Sequence, residues 1–129
     1  MAHNKLIRRI LGLRGFWESL KFALRGMLYL FAYHRNMRII FTTGIIVFFI
    51  GLFIIKLSGL ELAVLCITIT VVFIAEIFNT AIELVLDMTQ NKYHTLIKLI
   101  KDIAAGVVLI ASLNALAVGL ILFIKKLLV

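Results

Sequence analysis

The chain has 129 residues, of which 64% are hydrophobic and 16% charged, with no proline, one cysteine and a formal net charge of +8. A soluble domain is closer to half apolar and a quarter charged. With a mean hydropathy of +1.15, these figures exclude a disordered chain, a disulfide-stapled secreted module and a soluble globular enzyme, and leave one integral membrane domain over 1–129.

The predicted elements follow in chain order. Residues 5–33 read as an amphipathic surface helix. Leu6, Ile10, Leu13, Trp17, Leu20 and Leu24 recur at three- and four-residue steps, with Arg14, Glu18, Lys21 and Arg25 as a polar row. Such a helix lies in the headgroup plane with its basic side chains at the interface. The first apolar run, 39–55, is closed by Arg38 and Lys56 and sits at the lower limit for crossing a hydrocarbon core about 30 Å thick. The second, 62–86, is broken only by Glu76, Asn79 and Glu83, and the third, 103–124, ends before Lys125 and Lys126. The expected fold class is therefore an all-α integral membrane protein with three transmembrane helices and an amphipathic N-terminal helix.

The basic residues set the expected topology. Lys5, Arg8, Arg9, Arg14, Lys21, Arg25, Arg35 and Arg38 precede the first span. The first link holds only Lys56, and the second holds Lys92, Lys98 and Lys101. This bias places the N-terminus and the second link in the cytoplasm, with Lys125 and Lys126 outside. The cations border apolar runs and form no separable patch, which points to anionic lipid headgroups and away from nucleic acid. Cys66 lies inside an apolar run and reads as packing. Ala111, Ala115 and Gly119 recur every four residues, a spacing that lets helices approach closely. Three spans do not easily enclose a polar site, so an oligomer is expected.

The chemistry concentrates in the second span. Asn79, Thr80, Glu83 and Asp87 follow Glu76 by three, four, seven and eleven residues, which puts all five on one narrow helical face. An ionisable group inside a span costs about 2.5–3.5 kcal/mol at the centre and marks function by default. Counting from the outer side, Glu76 falls near the inner part of the hydrocarbon, Glu83 near its boundary and Asp87 in the headgroup layer. A group acting on a lipid headgroup belongs at the deep end of this face. Groups holding a hydrated, phosphate-bound Mg²⁺ belong at the shallow end. Lys101 and Asp102 open the third span on the same side. Lys101 reads either as a snorkelling anchor or as a partner for phosphate oxygens. Asp102 reads either as a helix-start acid or as a group orienting the substrate. Tyr93 and His94 read as interfacial belt residues or as nucleotide contacts.

Ala75-Glu76-Ile77-Phe78-Asn79-Thr80-Ala81-Ile82-Glu83, Asp87, Tyr93-His94 and Lys101-Asp102-Ile103-Ala104-Ala105-Gly106-Val107-Val108-Leu109 together closely resemble the signature of prokaryotic diacylglycerol kinases and the related undecaprenol kinases. Arg35-Asn36-Met37-Arg38-Ile39 resembles the segment before the family's first span. The resemblance implies a small homotrimeric lipid kinase of a bacterial inner membrane, with ATP and Mg²⁺, transferring the γ-phosphate to a membrane lipid alcohol. It implies Glu76 as general base, Glu83 as a Mg²⁺ ligand, and Asn79, Glu83, Asp87, Tyr93, His94, Lys101 and Asp102 around the nucleotide.

Two positions depart from the family. His34 stands where a metal-binding glutamate is usual, and imidazole suits softer metals better than Mg²⁺. Ile40 stands where relatives often carry a polar residue. The leading expectation is a lipid-alcohol kinase, with undecaprenol preferred over diacylglycerol. The alternative is a catalytically impaired lipid- or nucleotide-binding relative, damaged through His34. A small multidrug-type transporter fits less well, because that class needs four spans and a glutamate exposed to both sides in turn.

Overall fold

The structure is a computed structural model that describes residues 16–89 and 95–128. Residues 5–15 of the expected surface helix, and Tyr93 and His94, lie outside the described residues. Four α-helices make up most of the described chain: α1 (Phe16–Tyr33), α2 (Arg35–Phe49), α3 (Gly59–Asp87) and α4 (Thr95–Leu127). A π-helical turn, Ile50–Ile54, continues α2. No strand occurs among the described residues. Two compact units divide the chain, Met1–Arg35 and Asn36–Val129.

In the first unit, α1 buries Leu30 and exposes Phe16, Trp17 and Leu28. It ends at Tyr33, and the His34 N–H still donates to the Leu30 carbonyl at 2.9 Å. The Tyr29 ring stands against both neighbours here, 4.8 Å from Tyr33 and 5.9 Å from the His34 imidazole.

The described residues include three helices long and apolar enough to cross a membrane, 35–54, 59–87 and 95–127. Each begins before the apolar stretch that predicts it, and the second and third also end beyond theirs. Hydrophobic runs stop at the first charge, whereas backbone hydrogen bonding continues as far as charged side chains can reach water. At 29 residues α3 is about 43 Å long, so its ends extend beyond a core of about 30 Å.

The first span closes through backbone geometry. Ile55 N–H donates to the Ile50 carbonyl and Leu57 N–H to the Gly51 carbonyl, both at 2.9 Å. This closure resembles a Schellman motif widened by one residue. Lys56 takes the left-handed conformation, φ 54°, which disfavours a side chain. The turn drops Leu57 onto Gly51, where an added Cβ would lie 3.0 Å from Leu57 Cδ1 and 3.1 Å from Leu65 Cδ2. Leu57, Leu65 and Leu122 form the apolar cluster that joins the three spans at this end.

A capping box then starts α3. Ser58 N–H donates to Glu61 Oε2 at 2.8 Å, and Glu61 N–H donates to Ser58 Oγ at 3.4 Å. Two backbone donors that lipid cannot satisfy thereby gain partners. Glu61 Oε2 also lies 3.8 Å from Lys126 Nζ, linking the start of α3 to the end of α4. Midway along the spans Gly44 allows α2 to touch α3, since a Cβ there would lie 2.7 Å from Ile69 Cγ2.

Gly44→Leu is expected to lower the thermal midpoint of the detergent-solubilised protein, by roughly the 1–3 kcal/mol typical of overpacking. Adding Ile69→Ala should recover part of that loss in the same melting assay. Ser58→Ala is expected to cost about 1 kcal/mol through the lost cap. Lys126→Ala should cost less than about 0.5 kcal/mol, because the lysine is substantially exposed and surface ion pairs contribute little. Equal losses in the two variants would show that the ion pair, and not the cap, holds this end.

Candidate functional site

Alpha-helical spacing brings Glu76, Asn79, Thr80, Glu83 and Asp87 onto one side of α3, and burial falls along that side. Glu76 is 4% exposed, Thr80 2% and Asn79 8%. Glu83 is half-buried and Asp87 exposed. The buried trio sits in the middle of a helix whose other buried side chains are Leu65, Thr68 and Ala75.

Two polar contacts organise the face. Asn79 Nδ2 donates to Glu83 Oε1 at 3.3 Å, one helical turn away. This aims the carboxamide along the helix towards Asp87. The other end of the same carboxamide, Oδ1, is buried without a hydrogen-bond partner. An orphaned buried acceptor costs about 1–3 kcal/mol, and native structures rarely carry one without a reason. Asn79 Oδ1 is thus an oxygen donor held beside a carboxylate, suited to a hard cation or to a donor on a bound molecule.

At the exposed end Lys101 Nζ donates to Asp87 Oδ1 at 2.6 Å. The pair joins the last turn of α3 to the second turn of α4. It fixes the lysine's ammonium beside the acid face, although both side chains keep 39% and 56% of their surface exposed. The cation is therefore held in place yet open to a further anionic partner.

Asp102 is exposed beside Lys101. His34 belongs to the first compact unit and contacts Tyr29. Tyr93 and His94 lie outside the described residues. Among the described residues no three His, Cys, Asp or Glu side chains converge to hold a metal ion. Mg²⁺ is seldom caged by protein alone, keeping several waters and sharing its remaining positions between one or two carboxylates and substrate phosphates. Glu83 with Asn79 Oδ1 fits that pattern. Sequence reasoning did not anticipate the Asp87–Lys101 pair. Its signal was opposite charges on either side of the short link between two spans.

Comparison with known proteins identifies the family. The sequence model of prokaryotic diacylglycerol kinase matches residues 21–123. A diacylglycerol kinase of Synechocystis sp. is 41% identical over 111 residues, which cover 85% of this chain and 63% of that protein. An undecaprenol kinase of Bacillus subtilis is 33% identical over 115 residues, covering 89% of this chain and 93% of that protein. The chain thus spans less than two thirds of the Synechocystis relative and nearly all of the Bacillus one. No solved structure matches. The family match takes in the whole acid face of α3 together with Lys101 and Asp102, and the chain belongs to the prokaryotic diacylglycerol kinase family.

Proposed function

We propose that this protein is an ATP-dependent lipid kinase that phosphorylates the hydroxyl of a membrane lipid alcohol, with undecaprenol the preferred acceptor and diacylglycerol the second. The observation that carries the reading is the sequence of environments on α3. A buried carboxylate, Glu76, stands one turn from the polarised Asn79–Glu83 pair, and the same face ends at an exposed carboxylate held by a lysine.

Phosphoryl transfer passes through a loose transition state, so catalysis is mainly positioning and charge neutralisation. The acceptor hydroxyl approaches from the bilayer and meets Glu76. Its oxygen attacks the γ-phosphorus, the bond to the β–γ bridging oxygen breaks, and ADP leaves. The hydroxyl proton passes to the Glu76 carboxylate, which acts as general base. Glu83 and Asn79 Oδ1 are the oxygen donors suited to Mg²⁺, which when bound with the nucleotide neutralises its phosphate oxygens. Lys101, oriented by Asp87, offsets charge at the nucleotide end. Asp102, Tyr93 and His94 are assigned to the nucleotide by the resemblance to the family's signature.

The basic residues before Arg38 favour an N-terminus in the cytoplasm of a bacterial inner membrane, with the Asp87 end of α3 on the side that holds ATP. One domain over 1–129 forms the subunit. A homotrimer is the expected assembly, supported by the small residues along α4 and by the resemblance to the family. His34 supports a second reading, an impaired relative, because imidazole replaces an oxygen ligand that Mg²⁺ prefers.

The direct test incubates purified protein with radiolabelled ATP, Mg²⁺ and a panel of lipid alcohols. Label is expected in the lipid fraction, undecaprenol above diacylglycerol, and no labelled lipid from any acceptor would overturn the reading. Glu76→Gln should lower kcat by about 10²–10⁴ with the thermal midpoint retained; unchanged turnover would place the base elsewhere. His34→Glu separates the two readings through metal preference. A rise in rate with Mg²⁺ relative to Mn²⁺ marks a weakened metal site, and an unchanged ratio shows that position 34 does not meet the metal.

A further inference from the structure

Thr80 stands on the acid face of α3 with a hydroxyl that its own helix leaves unused. The residue is 2% exposed, yet its hydroxyl makes no hydrogen bond among the described residues. Thr68 and Thr70, earlier on the same helix, behave otherwise. Each donates its hydroxyl to the carbonyl four residues back, Val64 and Cys66, at 2.8 Å. The Glu76 carbonyl, four residues before Thr80, offers the same kind of bond. A buried hydroxyl without a partner is costly. The Thr80 oxygen is not sealed in as Asn79 Oδ1 is, so a bound molecule can meet it.

Its neighbours on this face supply acceptors. Glu76, Glu83 and Asp87 only accept when ionised. Asn79 Nδ2 is committed to Glu83, and Asn79 Oδ1 is an acceptor. The ion pairs Glu61–Lys126 and Asp87–Lys101 set residues 104–111 of α4 level with Thr80. That stretch, Ala-Ala-Gly-Val-Val-Leu-Ile-Ala, brings no polar side chain. The Lys101 ammonium is held at Asp87, about 10.5 Å further along the helix. Thr80 itself lies about 6 Å from Glu76 and about 4.5 Å from Glu83 along the axis. With the acceptor hydroxyl at Glu76 and the metal-binding end of the nucleotide at Glu83, the γ-phosphoryl group falls between them, level with Thr80.

We propose that the Thr80 hydroxyl donates a hydrogen bond to an oxygen of the γ-phosphoryl group during transfer, as a catalytic residue of this site. The inference rests on the kinase reading above. In the loose transition state, charge spreads over the three equatorial oxygens. A face of carboxylates repels that charge, and Thr80 answers it at the oxygen turned towards α3. A hydrogen bond to a charged acceptor is the stronger kind, and apolar surroundings strengthen it further. A hydroxyl with no bond to its own helix has none to break first, so the donor is preorganised.

The test measures kcat and the KM values for ATP and for the best lipid alcohol in the wild type, Thr80→Val, Thr80→Ala and Thr80→Ser. Valine keeps the shape of the side chain and removes the hydroxyl; alanine removes it without a branched replacement. Each should lower kcat about tenfold to a hundredfold, as loss of a hydrogen bond to a charged group does. Both KM values should stay within about threefold, because the bond forms only in the transition state. Serine keeps the donor and should hold kcat within about threefold of the wild type. Turnover of Thr80→Val within about twofold of the wild type, or a loss that serine shares, would overturn the inference. So would an effect confined to the KM of the alcohol, which would put the hydroxyl on the lipid.

A second readout needs no turnover and separates this from failure of the kinase reading. MgADP with aluminium fluoride mimics the phosphoryl group in flight. It should raise the thermal midpoint of the wild type beyond the rise with MgADP alone, even if no lipid alcohol is phosphorylated. Thr80→Val should lose most of that extra rise and keep the rise with MgADP. No extra rise in the wild type, or one that survives in Thr80→Val, would overturn the inference.

Discussion

A carboxylate held within an apolar helix is the constraint on which this molecule turns. Glu76 is almost fully buried in the middle of α3, where an ionisable side chain costs several kcal/mol of insertion energy. Nothing in helix formation requires it, because Leu or Ile at the same position would pack and insert more favourably. The surrounding structure is arranged to tolerate it. Asn79 and Thr80 bring polar atoms to the same face, Glu83 and Asp87 lead from it towards the helix end, and Lys101 closes that end with positive charge. The cost is met by the rest of the spans, which are apolar throughout and held by backbone hydrogen bonds that lipid cannot replace.

Close approach of the helices follows from small residues at defined points. Gly44 leaves room for Ile69 of α3, and Gly51 leaves room for Leu57 of the turn and Leu65 of α3. At Gly51 the π turn, the left-handed Lys56 and the buried Leu57 act together, bringing the chain round into α3 within a few residues. The same contact at Gly44 that joins the first two spans also separates two cavities of nearly equal size. Packing and cavity shape are thus decided by the same missing side chain.

Much of this could be read directly from the sequence. The three apolar runs predict the three long helices, because hydrocarbon thickness sets their length. The three-and-four spacing from Glu76 to Asp87 predicts one face, because α-helical periodicity is uninterrupted there. Span ends were less legible, since charged residues terminate a hydrophobic run without terminating a helix. Ser58 and Glu61 carry a capping-box signature that is visible in the sequence but reads there only as a boundary. The π turn has no comparable mark: Ile50 to Ile54 look like any apolar stretch, and its geometry comes from the backbone bonds to Ile50 and Gly51. The Asp87–Lys101 pair depends on two helices meeting, and spacing within either one does not reveal it. For His34 the chain supplies a residue type and a neighbour, Tyr29, and chemistry has to supply the rest.

The two longest helices are pinned at both extremities, by Glu61 to Lys126 at one and by Asp87 to Lys101 at the other. Each link alone is exposed and weak. As a pair they resist slippage: sliding α4 by a single turn, about 5.4 Å, would unfasten both at once. The depth of Lys101 against the acids is therefore indexed mechanically, like a vernier read from either end of the scale.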